Sequence, residues 1–114
     1  MRKEAAIYII LRKEWGVKGH LVTDCGALDD IWRNHKVLSN RIQVAAAAIK
    51  AGVNLDCSTL MQSEVLEAVH QKLVTEKEID AALMPLLRTQ FKLGFYDDPK
   101  LFAYALENIQ KTIS

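Results

Sequence analysis

The chain is poor in most features that mark a specialised class of protein. Cysteine occurs twice in 114 residues, at Cys25 and Cys57. That is too few for a disulfide framework or a four-ligand metal site, and it leaves the redox compartment open. An excess of one charge is also missing: 15 Lys and Arg against 14 Asp and Glu leave a formal charge of +1. Such a balance offers no field to attract nucleic acid, a membrane surface or an acidic substrate, and no run of like charge interrupts it. Long apolar runs are absent too, and nothing approaches the roughly 20 residues of a membrane span. The basic start at Arg2 and Lys3 and the apolar Ala5–Leu11 have the order of a signal peptide. Arg12, Lys13 and Glu14 follow without a small-residue cleavage site, so a helix is expected there instead. No internal repeat or low-complexity segment occurs.

What is present is ordinary for a globular domain: 50% apolar and 25% charged residues, which excludes a disordered chain. A chain of this length holds one domain at most, with a modest core. Residues 4–15 carry the apolar pairs Ala6/Ile10 and Ile7/Leu11 before Gly16, which reads as a helix and its end. His20–Asp24 reads as a short strand broken by Gly26. Residues 27–33 suit a short helix and 34–39 a loop. Ile42, Ala45, Ala46 and Ile49 have helical spacing, with Gly52 just beyond. A second strand is expected at Val53–Asp56. Thr59 to Gln62 has capping-box spacing ahead of a helix with Val65, Leu66, Val69 and Leu73 inward. Thr75 to Glu78 repeats that spacing, and a stripe from Ile79 to Phe91 continues past Pro85, which should kink its helix. Gly94 closes that helix, and Asp97–Pro99 marks a boundary.

Strand, helix, strand, helix is the order of a parallel pair joined by right-handed crossovers. Two such strands want more neighbours, so the chain reads as the tail of a larger α/β structure. Both strands end in an acid, Asp24 and Asp56. In a barrel of parallel strands the C-terminal ends form the active-site rim, and carboxylates there face substrate. The structural alternative is that each Asp caps the turn or helix after it.

At this point a family resemblance enters. Leu11–Gly16, Lys18-Gly19, Thr23-Asp24-Cys25-Gly26-Ala27 and Asp29–Ile31 resemble the nucleophile region of glycoside hydrolase family 3. His35, Ala48–Val53, Leu55–Cys57, Leu73–Asp80 and Leu87–Pro99 follow in the same order, so the likeness spans about residues 11–99.

The resemblance implies an α/β fold class. It implies a partial TIM-type (β/α)8 barrel: the last two strand–helix units, mostly helical with two short parallel strands. Residues 1–99 would be the C-terminal portion of the barrel domain, and 100–114 the start of an interdomain linker or a non-native tail. It implies Asp24 as the nucleophile of a retaining hydrolysis of terminal β-xylosides or β-glucosides, with no metal or organic cofactor. The implied partners are an oligosaccharide or aryl β-glycoside and the missing upstream barrel strands. A C-terminal sandwich domain, which carries the acid/base carboxylate, completes them. The isolated chain should therefore be inactive. Cys25 stands where many members have Trp, which is similar to the branch acting on xylosides and arabinosides. Asn54 stands where Asp is common.

Other residues carry two readings each. Trp32 is a candidate sugar platform, with core packing as the alternative. His35 is placed near the site mouth by the resemblance, or is a plain loop residue. Asp56 lines the rim or holds its own loop. Asp29 and Asp30 suit the first turn of a helix, where the dipole favours negative charge. His20 and His70 read as solvated or satisfied residues. Trp15 is expected where the first helix meets the barrel wall. Cys25 and Cys57 are close enough in the expected fold for a disulfide, but two reduced, buried thiols are the expected state. Two further functions compete with the enzyme reading: a non-catalytic truncated remnant, and a small helical interaction module whose apolar stripes dock on a partner.

Overall fold

Alanine and β-branched residues at helical spacing put one helix at the centre. The computed structural model describes residues 5–98 and Lys100, with side chains from Ile7 onward; the rest of the proposed 100–114 tail lies outside the described residues. The helices are α1 (Ala27–Arg33), α2 (Arg41–Ala51), α3 (Leu60–His70) and α4 (Glu76–Lys92), preceded by a π-helix over Ala5–Glu14. α2 packs against α1, α3 and α4. The small side chains of Ala45, Ala46 and Ala48 let its neighbours approach from two sides, so six of its residues are buried. Val44, Ala45 and Ala48 meet Leu28 of α1 and Leu60 of α3. Ala46 and Ile49 meet Ala68 and Val74 on the other side.

The helix ends follow local chemistry. Asn40 caps α2 by accepting from the Gln43 amide at 2.9 Å, and Gly52 ends it with φ of +99°. A side chain at Gly52 would also press on its neighbours, since an added Cβ would lie 3.0 Å from Ile7 Cγ2. At α4, Thr75 and Glu78 form the expected capping box. At α3 the expectation fails, because Thr59 makes no side-chain cap. Asp56 and Ser58 reach the free amides first: Met61 N donates to Asp56 Oδ2 and Leu60 N to Ser58 Oγ, each at 3.2 Å. The stripe of α4 does lie along one helix, with Pro85 inside it, yet none of its residues is fully buried. Leu66 faces out rather than in, at 66% exposure, and Trp15 is 70% exposed instead of packed.

The main correction concerns the fold class. The expected α/β barrel portion with two parallel strands is absent: the described residues form helices and no strand. What remains of the expected pair is one isolated parallel bridge, Val22 with Leu55. The Leu21 carbonyl accepts from both Asn54 N and Leu55 N, and Thr23 N donates to Leu55 O. The ladder stops there. Parallel pairing is weak per residue, and a two-stranded pair has no neighbouring strand to extend it or cover its faces. Accordingly Val22 and Leu55 are 49% and 41% exposed. The first helix also departs from expectation, because its bonding is i to i+5 rather than the α spacing read from Ile7 and Leu11.

Candidate functional site

The lone bridge brings two acid-bearing loops side by side. Thr23 and Asp24 leave one side of it, and Asp56 and Cys57 leave the other. Thr23 stitches them together: its hydroxyl donates to Asp56 Oδ1 at 3.0 Å and accepts from Cys57 N at 2.9 Å. Gly26 N donates to the Cys57 carbonyl at 3.3 Å. A disulfide joins Cys25 to Cys57, with Cα atoms 4.5 Å apart. That overturns the expectation of two reduced, buried thiols. Cys25 is exposed and Cys57 half-buried, and the paired loops hold the two residues within bonding range.

The two acids differ in what they do locally. Asp56 uses both oxygens on its own surroundings: Thr23 on Oδ1, and Ser58 (2.6 Å) and Met61 N on Oδ2. Those bonds fix the start of α3. Asp24 is exposed and accepts, among the described residues, a single hydrogen bond to its side chain, from Cys25 N at 2.9 Å. It does not cap α1, whose N-cap position is taken by Gly26 in the left-handed region.

Among the described residues no hydrogen bond joins Trp32 or His35 to Asp24. Trp32 packs on the α1–α2–α3 core, donates from Nε1 to Asp29 Oδ1 at 3.2 Å, and carries the Arg33 guanidinium over its ring at 5.4 Å. Asp29 also pairs with Arg41 at 2.9 Å, and Arg41 reaches Glu64 at 3.2 Å, so this acid ties α1 to α2 and α3. His35 is exposed beyond the end of α1, its amide donating to the Asp30 carbonyl. His20 Nδ1 lies 3.1 Å from Thr89 Oγ1, and His70 faces Glu67. A cleft of about 200 Å³ lies elsewhere, lined by apolar side chains such as Ile7, Leu28, Ile31 and Val53. It lacks the polar groups that orient a sugar.

Asn54 was read only as a departure from an expected Asp. It proves to be the buried hub of the region, at 8% exposure. Its Oδ1 accepts from Leu21 N (2.7 Å) and Arg12 (2.9 Å), and its Nδ2 donates to the Ala82 carbonyl at 2.7 Å. A carboxylate has no donor for Ala82, which explains an amide here. Arg12 extends the hub by donating to the carbonyls of Val17 and Gly19.

No family model matches the chain. Individual proteins do. It is 38% identical over 97 residues to a xylan 1,4-beta-xylosidase of Xylanibacter ruminicola, covering 84% of this chain. It is 42% identical over 91 residues to the exo-1,4-beta-xylosidase bxlB of Emericella nidulans, covering 77%. Among solved structures, a GH3 exo-beta-xylosidase in complex with a xylobiose aziridine activity-based probe aligns over 74% of the chain, at 30% identity and a TM-score of 0.67. The chain belongs to glycoside hydrolase family 3. A beta-glucosidase from Listeria innocua in complex with isofagomine, also similar, aligns over 84% of the chain at 27% identity and a TM-score of 0.76. The family 3 chain spans only 11–12% of the length of the two xylosidases described by sequence.

Proposed function

We propose that this family 3 chain supplies Asp24 as the nucleophile of a retaining β-glycosidase, with the remaining groups of the centre coming from further polypeptide. The single observation that carries this reading is the contrast between the two acids. Both oxygens of Asp56 are engaged, by Thr23 and by the start of α3, whereas Asp24 is an exposed carboxylate with one bond among the described residues, on a loop cross-linked to its neighbour. A nucleophile needs an oxygen free to attack and a fixed backbone behind it.

In the reaction, Asp24 attacks the anomeric carbon and displaces the leaving oxygen, giving a glycosyl ester; water then releases the sugar with net retention. A second carboxyl group, roughly 5–5.5 Å away, protonates the leaving oxygen and later activates the water. We assign that group and most sugar contacts to polypeptide beyond these residues, so the 114-residue chain alone should not turn over. A terminal β-xyloside is the preferred substrate, on the similarity to xylosidases and on Cys25 after the nucleophile; a β-glucoside is the second choice. Trp32, His35 and Asp56 remain our proposals for sugar contacts. Trp32 and Asp56 are already engaged by protein groups, which ranks them below Asp24.

The test is a mechanism-based 2-fluoroxyloside applied to a family 3 glycosidase of ordinary length that contains these residues. Peptide mapping should find the ester on Asp24, and Asp24→Asn should abolish it. An ester on any other acid sinks the assignment.

A further inference from the structure

We infer that Cys57 is a positioning residue for Asp24, acting through a disulfide that a thiol can open, so that the carboxylate is held for attack in the oxidised form only. The inference rests on the reading of Asp24 as nucleophile and names a control on that same site.

The two ends of the bond are held very differently. Cys57 is anchored on both sides of its backbone: its amide donates to Thr23 Oγ1 and its carbonyl accepts from Gly26 N. It directly follows Asp56, whose carboxylate is locked by Thr23, Ser58 and Met61 at the start of α3. Cys25 is exposed, and its amide is the group that orients Asp24 Oδ1. No apolar burial fixes Asp24 or Cys25, because both side chains face solvent. The disulfide therefore conveys the rigidity of the α3 start to the amide that aims the carboxylate. Opening it leaves the Cys25 amide on a loop tied only at its flanks, by the Thr23 hydroxyl and by the Gly26 and Ala27 amides.

The chemistry needs a dithiol reductant. Its thiolate attacks the exposed Cys25 sulfur, the S–S bond breaks, and Cys57 leaves as a thiolate that takes a proton from water. The second thiol of the reductant attacks the mixed disulfide, frees Cys25 as a thiol, and departs as a cyclic disulfide. Two electrons pass to the protein, and an oxidant of the disulfide class reverses the step.

The experiment uses the ¹⁵N-labelled chain, oxidised or treated with dithiothreitol, together with Cys57→Ser. In the oxidised chain the hydrogen bond from the Cys25 amide to the Asp24 carboxylate should slow exchange of that amide, and Asp24→Ala should release it. On reduction exchange of the Cys25 amide should quicken by about tenfold or more, while the Ala48, Ile49 and Ala68 amides stay protected. Cys57→Ser should reproduce the reduced behaviour and ignore the reductant. A Cys25 amide unchanged by reduction overturns the inference. So does loss of protection at Ala48, Ile49 and Ala68 together, since the bond would then be a staple for the whole fold. The nucleophile reading fails separately, by a fluorosugar ester on another acid, which leaves the amide result standing.

Discussion

In the middle of α2, Val44 and Ala45 expose none of their surface, and Leu60 of α3 exposes none of its own. Earlier in the chain, Asp24 and Cys25 stand open to solvent on a loop bordered by a single bridge. The first region is held by apolar burial, roughly 1.5–3 kcal/mol for each large side chain taken from water. The second is held by hydrogen bonds, about 0.5–1.5 kcal/mol net apiece, and by one cross-link across a separation of 32 residues. In the chain-entropy account a closed loop of that length contributes roughly 3–4 kcal/mol. A reactive carboxylate cannot be buried in oil without its charge becoming costly. Fixing its backbone with polar and covalent ties keeps it both placed and wet.

Substitutions can break this contrast or sharpen it. Leu60→Ala should cost about 2–5 kcal/mol in urea denaturation, because it opens a cavity where α2 and α3 meet. A loss below 1 kcal/mol would deny that burial dominates there. Asn54→Ala should cost about 1–3 kcal/mol, since Leu21 N and the Ala82 carbonyl lose a buried partner. It should also disturb the Asp24 side of the molecule more than α3, visible as amide shift changes concentrated at residues 20–26. Thr75→Ala removes half of the α4 capping box and should cost about 1 kcal/mol. Asp24→Asn should change stability by no more than about 0.5 kcal/mol, as expected for an exposed residue with one local bond. A large stability loss there would make Asp24 a structural residue after all.

The sequence was most legible where neighbours along the chain decide the outcome. α2 could be read from Ala45, Ala46 and Ile49, and the Thr75–Glu78 cap from spacing alone, because each depends on contacts within a few residues. The Thr59 cap was misread for a related reason: the same pattern stood beside Asp56 and Ser58, which are better placed to accept from Leu60 and Met61. Periodicity also put Leu66 inward, although only Val65, Val69 and Leu73 of that stripe pack on the core and Leu66 is left exposed. The strands were illegible in a deeper sense. The short, partly β-branched run at His20–Asp24 shows that a segment can join a sheet, but the ladder depends on strands beside it, and the described residues hold only one such pairing.

The proposal of Asp24 rests on its motif, whereas its setting could not be read from the sequence. Composition says nothing of whether Cys25 and Cys57 are joined. The roles of Thr23 and Asn54 depend on which backbone groups arrive opposite them, as with the Ala82 carbonyl beside Asn54 Nδ2. Arg41, the link between Asp29 and Glu64, likewise left no sequence signal beyond its charge.

Joining Cys25 to Cys57 closes a covalent ring that contains α1 and α2. A protease that nicks the exposed stretch at residues 35–37 would therefore cut the chain without parting it. The two pieces would run together on a denaturing gel until a reducing agent is added, and only then migrate as separate bands.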